Sequence, residues 1–180
     1  TYAPLEEYRI LENYQAGELD DTGVIIKVGL NESITKPRDS SNPMEHYYAM
    51  GVRNSFGLTI DPITGYMWDT ENGPEFYDEV NLVLPGFNSG WKKIMGPSQG
   101  NSAGLTLTEH FQYSDPEFSW ELPGTLTSLV FPVSNQFEKY NNSLFVANDC
   151  GNIYNFKLNQ DRTGFVFNDP RLSDLVNNKI

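Results

Sequence analysis

The sequence predicts an all-β fold. Its 180 residues include 11 phenylalanines, 10 tyrosines, 15 glycines and 11 prolines. Aromatic side chains suit pleated surfaces, while glycine and proline end strands in turns. Apolar residues occur in runs of strand length, and no long stretch has the 3.6-residue period of an amphipathic helix. With 38% hydrophobic residues, the chain has enough apolar material for a sizeable core.

Each predicted strand is a short apolar or alternating run that is bounded by asparagine, aspartate, glycine or proline. In chain order, these runs occupy residues 23–29, 46–52, 57–61, 65–70, 79–84, 127–131, 143–149, 152–158 and 164–168.

Two segments have the pattern of a β-hairpin. In Leu58–Trp68, Pro62 and Gly65 bracket the turn, and Leu144–Phe156 turns around Gly151. Recurring antiparallel hairpins are typical of β-propellers, whose four-stranded blades need roughly 40 residues each. The chain therefore has room for about three or four blades.

Residues 1–180 are expected to form a single partial propeller domain that is truncated at both ends. An open arc of blades exposes strand edges, which the missing blades of a longer protein would cover. Residues 97–120 are predicted to be an insertion loop, because they are polar, contain glycine and lack a clear strand pattern.

Charge and composition exclude several classes of partner. The net charge of −12 leaves no basic surface for phosphate groups, which argues against nucleic acid and anionic membranes. No apolar run approaches the roughly 18 residues that span a bilayer, and no signal peptide is visible. The single cysteine, Cys150, is interpreted as a small apolar core residue. Asn31 and Asn141 begin glycosylation sequons, which predict surface turns.

The segment from Tyr48 to Gly96 contains the most informative motifs: Arg-Asn before Gly-Leu and Asp-Pro, then Glu-Asn-Gly-Pro, then Asp-Glu and Asn-Ser-Gly-Trp. It resembles the signature of the glucose/sorbosone dehydrogenase family, which runs close to G-x-R-N-P-x-G-L-x-x-D-P, E-x-G-P and D-E-x-N-x-x-x-x-G-x-N-x-G-W. The matching residues are Arg53, Asn54, Gly57, Leu58, Asp61, Pro62, Glu71, Gly73, Pro74, Asp78, Glu79, Asn81, Gly86, Asn88, Gly90 and Trp91.

The resemblance implies a soluble six-bladed β-propeller that binds pyrroloquinoline quinone (PQQ) and calcium. It implies oxidation of an aldose or another sugar at the anomeric carbon, with an electron acceptor as second partner. It also implies an extracellular or periplasmic location. Weaker likeness extends over residues 23–167, so most of the chain is covered.

Arg53 and Asn54 are the first candidate binding residues. A guanidinium fork beside an amide suits a planar ligand that bears carboxylates. From the residues alone, a structural arginine that pairs with a neighbouring acid is the alternative. The resemblance favours the ligand and implies that both residues contact the quinone. It implies further polar contacts near the cofactor or the sugar at Asn72, Asp78 and Thr127.

Two calcium sites are expected. The turn Glu71–Pro74 can direct main-chain carbonyls to one side, because glycine allows unusual φ values and proline restricts them. Carbonyl oxygens suit calcium, and the resemblance assigns the cofactor's calcium to Gly73 and Pro74. It assigns a second, structural calcium to Glu79 and the carbonyl of Ser89. The alternative is a capped turn with solvated acids.

The chain departs from the family pattern at Ser55 and Phe56, which stand in place of proline and glutamine. Phe56 can stack on a flat ring but cannot form the hydrogen bonds of glutamine. The family's general base is a histidine upstream of the Arg-Asn pair. His46 lies too close to that pair and His110 follows it, so both are expected to be structural or exposed and the base is expected outside the chain.

Two functions follow from these residues. The first is a fragment of a PQQ-dependent sugar dehydrogenase that supplies part of the cofactor site and a calcium turn. The alternative is a non-catalytic propeller that binds a sugar, a glycan or a protein with the same face. A calcium-dependent hydrolase is disfavoured, because the acids are scattered along the sequence.

Overall fold

The computed structural model describes residues 23–29, 46–98, 105 and 110–169. These residues form eleven strands and the short 3-10 segment Asn135–Tyr140. The all-β prediction is therefore confirmed. The strands are β1 (Ile25–Ile26), β2 (Tyr47–Met50), β3 (Ser55–Ile60), β4 (Met67–Glu71), β5 (Asp78–Val83), β6 (Phe87–Asn88), β7 (Gln112–Tyr113), β8 (Phe118–Trp120), β9 (Leu126–Val130), β10 (Ser143–Asn148) and β11 (Ile153–Lys157).

A four-stranded antiparallel sheet lies at the centre of the described residues, in the order β3-β4-β5-β8. The predicted hairpin of β3 and β4 is present, with Leu58 opposite Asp69 and Thr59 opposite Trp68. Gly65 adopts φ 75° in its turn, a backbone conformation that residues other than glycine rarely adopt. This sheet has the strand number and antiparallel pairing of a propeller blade.

The second antiparallel sheet has the order β11-β10-β9 and contains the other predicted hairpin. Its strands β10 and β11 pair from Ser143 opposite Lys157 to Ala147 opposite Ile153. Gly151 lies in the turn with φ 82°. The sheet packs beside the first one, since β9 contacts both β3 and β4.

The main hydrophobic core lies between these two sheets and is dominated by aromatic rings. Trp68 is fully buried and approaches Phe165 at 5.3 Å between ring centroids. Phe118 and Phe156 meet edge to face at 4.7 Å. Rings in such arrangements add to the stabilisation from buried area, so the aromatic content noted in the sequence holds the two sheets together.

The remaining sheet differs from the expected antiparallel blade. Its order is β1-β2-β6-β7, and β6 pairs in parallel with both β2 and β7. It covers the other face of the central sheet, where Ala49, Val83 and Phe87 form a small buried cluster. The residues between β2 and β3, which include Arg53, are thereby enclosed.

Three sequence-based expectations need correction. Residues 97–120 were predicted to be an insertion loop without a clear strand pattern, yet β7 and β8 lie within this range, and β8 completes the central sheet by pairing with β5. The run 164–168 forms only an isolated bridge between Leu158 and Phe165. Cys150 is exposed rather than a core residue. The cause is non-local: partners distant in sequence decide which short segments pair and which side chains are covered.

Other expectations fall partly outside the described residues. The sequon at Asn31 and residues 99–104 and 106–109 of the predicted insertion lie there. Asn141 is exposed in a turn, as its sequon predicted. No helix in the described ranges is long and apolar enough to cross a membrane.

A buried ion pair between Asp61 and Arg162 connects the β3–β4 turn to the segment that follows β11. Arg162 donates from Nε to Asp61 Oδ2 at 2.6 Å and from NH2 to Asp61 Oδ1 at 3.0 Å. Its third nitrogen donates to Asn142 Oδ1 at 2.9 Å. Both charged side chains are almost completely buried, so each depends on the other for its stability in the interior.

Candidate functional site

The predicted binding residues lie where strands of adjacent sheets begin or end. Arg53 and Asn54 immediately precede β3, whereas Asn72 and Gly73 follow the end of β4. Asp78 is the first residue of β5, and Thr127 is the second residue of β9. Because β3, β4, β5 and β9 are neighbours, their ends bring residues from distant parts of the sequence to one edge.

Arg53 is buried at this edge. Its backbone N–H donates to Glu71 Oε2 at 2.7 Å, and its guanidinium NH1 donates to the backbone carbonyl of Asn72. The guanidinium carbon lies 5.1 Å from the ring centroid of Trp91, which is within the range of a cation–π interaction. The side chain is therefore held in one orientation, as a binding fork requires.

Asn54 and Phe56 follow Arg53 at the start of β3 and lie at the same edge. The Oδ1 atom of Asn54 is buried and accepts no hydrogen bond from the described part of the chain. Phe56, which replaces the family's glutamine, is 61% exposed. The cation suits a negatively charged group, the amide oxygen suits a hydrogen-bond donor and the exposed ring suits a flat surface, so together they fit a flat, polar ligand that carries negative charge.

Asn72 connects this edge to β9. Its Nδ2 donates to the carbonyl of Leu126 at 2.9 Å, and its Oδ1 accepts the N–H of Leu126 at 2.7 Å. The backbone N–H of Asn72 donates to the carbonyl of Asn54 at 3.0 Å. Thr127 follows Leu126 directly, and its hydroxyl donates to the carbonyl of Ala147 at 3.3 Å.

Asp78 has a related set of partners. Its Oδ1 accepts the N–H of Gly73 at 2.9 Å, and its Oδ2 accepts the N–H of Gly124 at 2.7 Å. Burial raises the pKa of Asp78, and hydrogen bonds from nearby backbone N–H groups oppose that rise. The predicted quinone contacts Arg53, Asn54, Asn72, Asp78 and Thr127 thus belong to one hydrogen-bonded group of segments.

The proposed cofactor-calcium turn at Gly73 and Pro74 adjoins these contacts. Pro74 is exposed and Gly73 is partly exposed. A Cβ atom at position 73 would collide with the carbonyl oxygens of Phe76 and Tyr77. The turn is therefore crowded with main-chain oxygens, the type of ligand that calcium prefers.

A group of buried polar residues lies behind Arg53 on strands β4 and β5, and only Glu79 among them was a predicted site residue. In the register of these strands, Asp69 lies opposite Asn81 and Glu71 lies opposite Glu79. Asn81 Nδ2 donates to Glu71 Oε1 at 3.2 Å and to Glu79 Oε2 at 3.5 Å. All four residues are 0 or 1% exposed. The alternation of polar positions on two adjacent strands was the available signal.

Burial changes the protonation of these acids. It raises the pKa of Glu71 to about 7, while Ser89 and Arg53 favour the ionised form. Burial and then the charge of Glu71 raise the pKa values of Asp69 and Glu79 well above the usual range. Neither oxygen of Asp69 accepts a hydrogen bond of regular geometry, although Asn81 and Ser55 lower its pKa in part. Protons or a cation must compensate this buried negative charge.

Glu79 and Ser89, the residues of the second calcium prediction, lie together at this group. The Ser89 hydroxyl donates to Glu79 Oε2 at 3.4 Å, and the N–H of Gly96 donates to Glu79 Oε1. Hard oxygen atoms next to buried negative charge fit calcium chemically. In the described ranges, no three histidine, cysteine, aspartate or glutamate side chains form a metal-binding group. Calcium at this position would therefore depend on carbonyl and water oxygens besides Glu79.

The two histidines were expected to be structural or exposed. His110 is exposed, and His46 is partly buried immediately before β2. The general base remains an expectation for sequence outside the chain.

Residues 12–179 match the family model described as Glucose / Sorbosone dehydrogenase. The chain belongs to this family. Within it, Quinoprotein glucose dehydrogenase B of Acinetobacter calcoaceticus is 37% identical over 75 residues, which are 41% of this chain and 16% of that protein. Aldose sugar dehydrogenase YliI of Escherichia coli strain K12 is 24% identical over 136 residues, which are 73% of this chain and 33% of that protein.

Solved structures of glucose and aldose sugar dehydrogenases share the fold. A crystal structure of a glucose dehydrogenase has a TM-score of 0.61 at 23% identity, covering 81% of this chain and 43% of that one. The PQQ-bound form of the Aldose Sugar Dehydrogenase from Streptomyces coelicolor has a TM-score of 0.56 at 20% identity, covering 86% and 42%. The predicted partial β-propeller is thus confirmed, and this glucose/sorbosone dehydrogenase chain spans less than half of these relatives.

Proposed function

We propose that this chain is part of a PQQ-dependent dehydrogenase that oxidises an aldose at its anomeric carbon. The arrangement of Arg53, Asn54, Asn72 and Thr127 at one edge, next to the Gly73 turn, carries the proposal. Similarity to a quinoprotein glucose dehydrogenase and to a PQQ-bound aldose sugar dehydrogenase supports it. An extracellular or periplasmic location, with a separate electron acceptor, belongs to the same proposal.

Arg53 would bind carboxylates of PQQ, and Asn54 would accept a hydrogen bond through its free Oδ1. Carbonyls at Gly73 and Pro74 would hold calcium, with Glu79 and Ser89 at a second calcium. When bound, the quinone supplies a hydride acceptor and calcium supplies a Lewis acid. The chain's own residues orient the bound groups and keep Arg53 enclosed, while a base from elsewhere in the protein takes the hydroxyl proton.

The longest natural polypeptide that contains this chain provides the test. It would be titrated with PQQ in the presence of calcium and then assayed for aldose-dependent reduction of a dye. The substitution Arg53→Met is expected to weaken quinone binding about tenfold to a hundredfold, because a charge-assisted hydrogen bond is lost. Circular dichroism would establish that the variant is folded.

Lys157→Met is the matched control, because it also removes a cation, but from an exposed position on β11. It is expected to leave quinone affinity unchanged. If the unsubstituted polypeptide binds no PQQ at micromolar concentrations with calcium, the proposed function is wrong.

The exposed Phe56 favours a second candidate, a propeller that binds a sugar, a glycan or a protein without chemistry. An exposed aromatic ring beside polar groups is a common feature of such sites. This candidate predicts sugar or partner binding that survives removal of PQQ and calcium, with no dye reduction. Restoring glutamine by Phe56→Gln separates the two, because only the dehydrogenase should gain quinone affinity.

A further inference from the structure

Two buried side chains connect the turn after β4 to the segment that leads into β9. Asn72 forms a pair of hydrogen bonds with the backbone of Leu126, at 2.9 and 2.7 Å. Asp78 accepts the N–H groups of Gly73 and Gly124, at 2.9 and 2.7 Å. We call these four bonds the Asn72–Asp78 clamp.

The clamp holds a strained backbone. Thr125, between the two clamped residues Gly124 and Leu126, has φ 52°. This conformation is unfavourable for a β-branched residue and persists only where the surroundings impose it. A further bond from the N–H of Asp149 to the carbonyl of Thr125, at 3.0 Å, completes the restraint. Strained residues of this kind concentrate at binding sites.

The clamped side chains are engaged before any ligand arrives. Asn72 is 5% exposed and Asp78 is 0% exposed. Each oxygen and nitrogen of these side chains already has a backbone partner within the protein. A direct bond to a cofactor would have to use the second hydrogen of the Asn72 amide or a remaining lone pair of a side chain that is already buried.

Residues proposed to touch the cofactor depend on the clamp. The carbonyl of Asn72 receives the guanidinium of Arg53, and the clamped Leu126 immediately precedes Thr127. The clamp therefore sets the spacing between a cation before β3 and a hydroxyl on β9. These groups come from two different sheets, and at this edge the clamp adds hydrogen bonds to the packing between them.

We propose that Asn72 and Asp78 are positioning residues, which align Arg53, Gly73 and Thr127 across two adjacent sheets instead of contacting the quinone themselves. The role in quinone binding depends on the function proposed above. The clamp itself can be measured without any cofactor.

The first experiment measures backbone hydrogen exchange in the longest natural polypeptide without PQQ. In Asn72→Ala, exchange in residues 122–128 is expected to increase about tenfold, because the N–H of Leu126 loses its acceptor. Residues 153–157 on β11, which pairs with β10 and not with β9, should not change. Asn72→Asp retains an acceptor for that N–H and is expected to give an intermediate rate, which provides a milder variant. Unchanged exchange in residues 122–128 in both variants would overturn the proposal.

The second experiment is a double-mutant cycle on quinone affinity in the presence of calcium. Asn72→Ala is expected to weaken binding about tenfold, and adding Thr127→Ala should cost little more, because Thr127 is already displaced. A direct contact by Asn72 predicts that the two losses multiply instead. Multiplying losses would overturn the positioning role and leave the proposed function intact.

Asn159→Ala is the matched control. The Asn159 amide also makes two local bonds, to the N–H of Thr163 at 2.9 Å and to its hydroxyl at 3.3 Å. Its removal should increase exchange in residues 159–164 and leave quinone affinity unchanged. Failure of the unsubstituted polypeptide to bind any PQQ would reject the proposed function and this role together, and the exchange data would then report on the clamp alone.

Discussion

Arg162→Met is expected to reduce the free energy of unfolding by about 3 to 5 kcal/mol, since removing one partner leaves a buried carboxylate without its counter-charge. Arg162 holds both oxygens of Asp61. Burial alone would raise the pKa of Asp61, but the hydrogen bonds and charge of Arg162, helped by the N–H of Ile63, lower it overall. The pair links the β3–β4 turn to the segment that follows β11.

The destabilisation caused by Arg162→Met should depend on pH. A carboxyl whose pKa is lower in the folded than in the unfolded protein stabilises the fold at pH values above its unfolded-state pKa, near 3.8. That stabilisation is lost as the pH falls through the folded-state pKa. In the variant, unpaired Asp61 should prefer its neutral form. The difference between wild type and Arg162→Met should therefore be largest at neutral pH and shrink below about pH 4.

Thermal and denaturant unfolding at pH 7 and pH 3.5 would measure these differences. The melting temperature at pH 7 should fall by roughly 6 to 20 °C. Arg162→Lys keeps the charge but loses the fork, so an intermediate loss is expected. The double variant Asp61→Asn, Arg162→Met should lose less than the sum of the single changes. Equal losses at both pH values would contradict the assigned role of the pair.

Gly73→Ala is expected to destabilise the protein by about 3 kcal/mol, because the added methyl group has no space. A Cβ at this position would lie closer than 3.0 Å to the backbone oxygens of Phe76 and Tyr77. Backbone atoms cannot rotate away as a side chain can, so the turn must shift. That shift would also disturb the bond from Gly73 to Asp78 and the proposed calcium carbonyl.

Gly65→Ala is the matched control for Gly73→Ala. Nothing lies within 4 Å of a Cβ at position 65, but its φ is 75°, so only the conformational cost of about 1 kcal/mol is expected. Circular dichroism melting of both variants, with and without calcium, would compare the two. Only Gly73→Ala should lose calcium-dependent stabilisation. Equal losses in both variants would mean that steric crowding at Gly73 is not important.

The strands and their hairpins were largely predictable from local patterns. Alternating apolar residues and the turns at Gly65 and Gly151 identify β3, β4, β10 and β11, since these elements pair with their neighbours in sequence. Strand β8 was not predictable, because three residues within a polar stretch give no period. Its partner β5 lies far earlier in the chain, and their pairing decides its conformation.

The site was predictable as a set of residues but not as an arrangement. The motif identified Arg53, Asn54 and Gly73 as candidates and the wider resemblance added Thr127, and their common location at one edge supports that choice without testing their roles. Asn72 and Asp78 were predicted as polar contacts near the cofactor, and the fold engages both in backbone hydrogen bonds. Their partners Leu126 and Gly124 lie 54 and 46 residues away, and local sequence carries no signal for such pairs.

The sequence by itself determined the all-β class, the hairpins and the family, because these depend on composition, on alternation and on motifs within short windows. The tertiary structure decided which charges are buried. The local sequence does not indicate that Asp69, Glu71 and Glu79 are buried, yet two sheets enclose them behind Arg53. Asp61 lies 101 residues from Arg162. Burial and pairing over such distances depend on how the sheets stack, so the perturbed acids and the Asn72–Asp78 clamp become visible only in the folded chain.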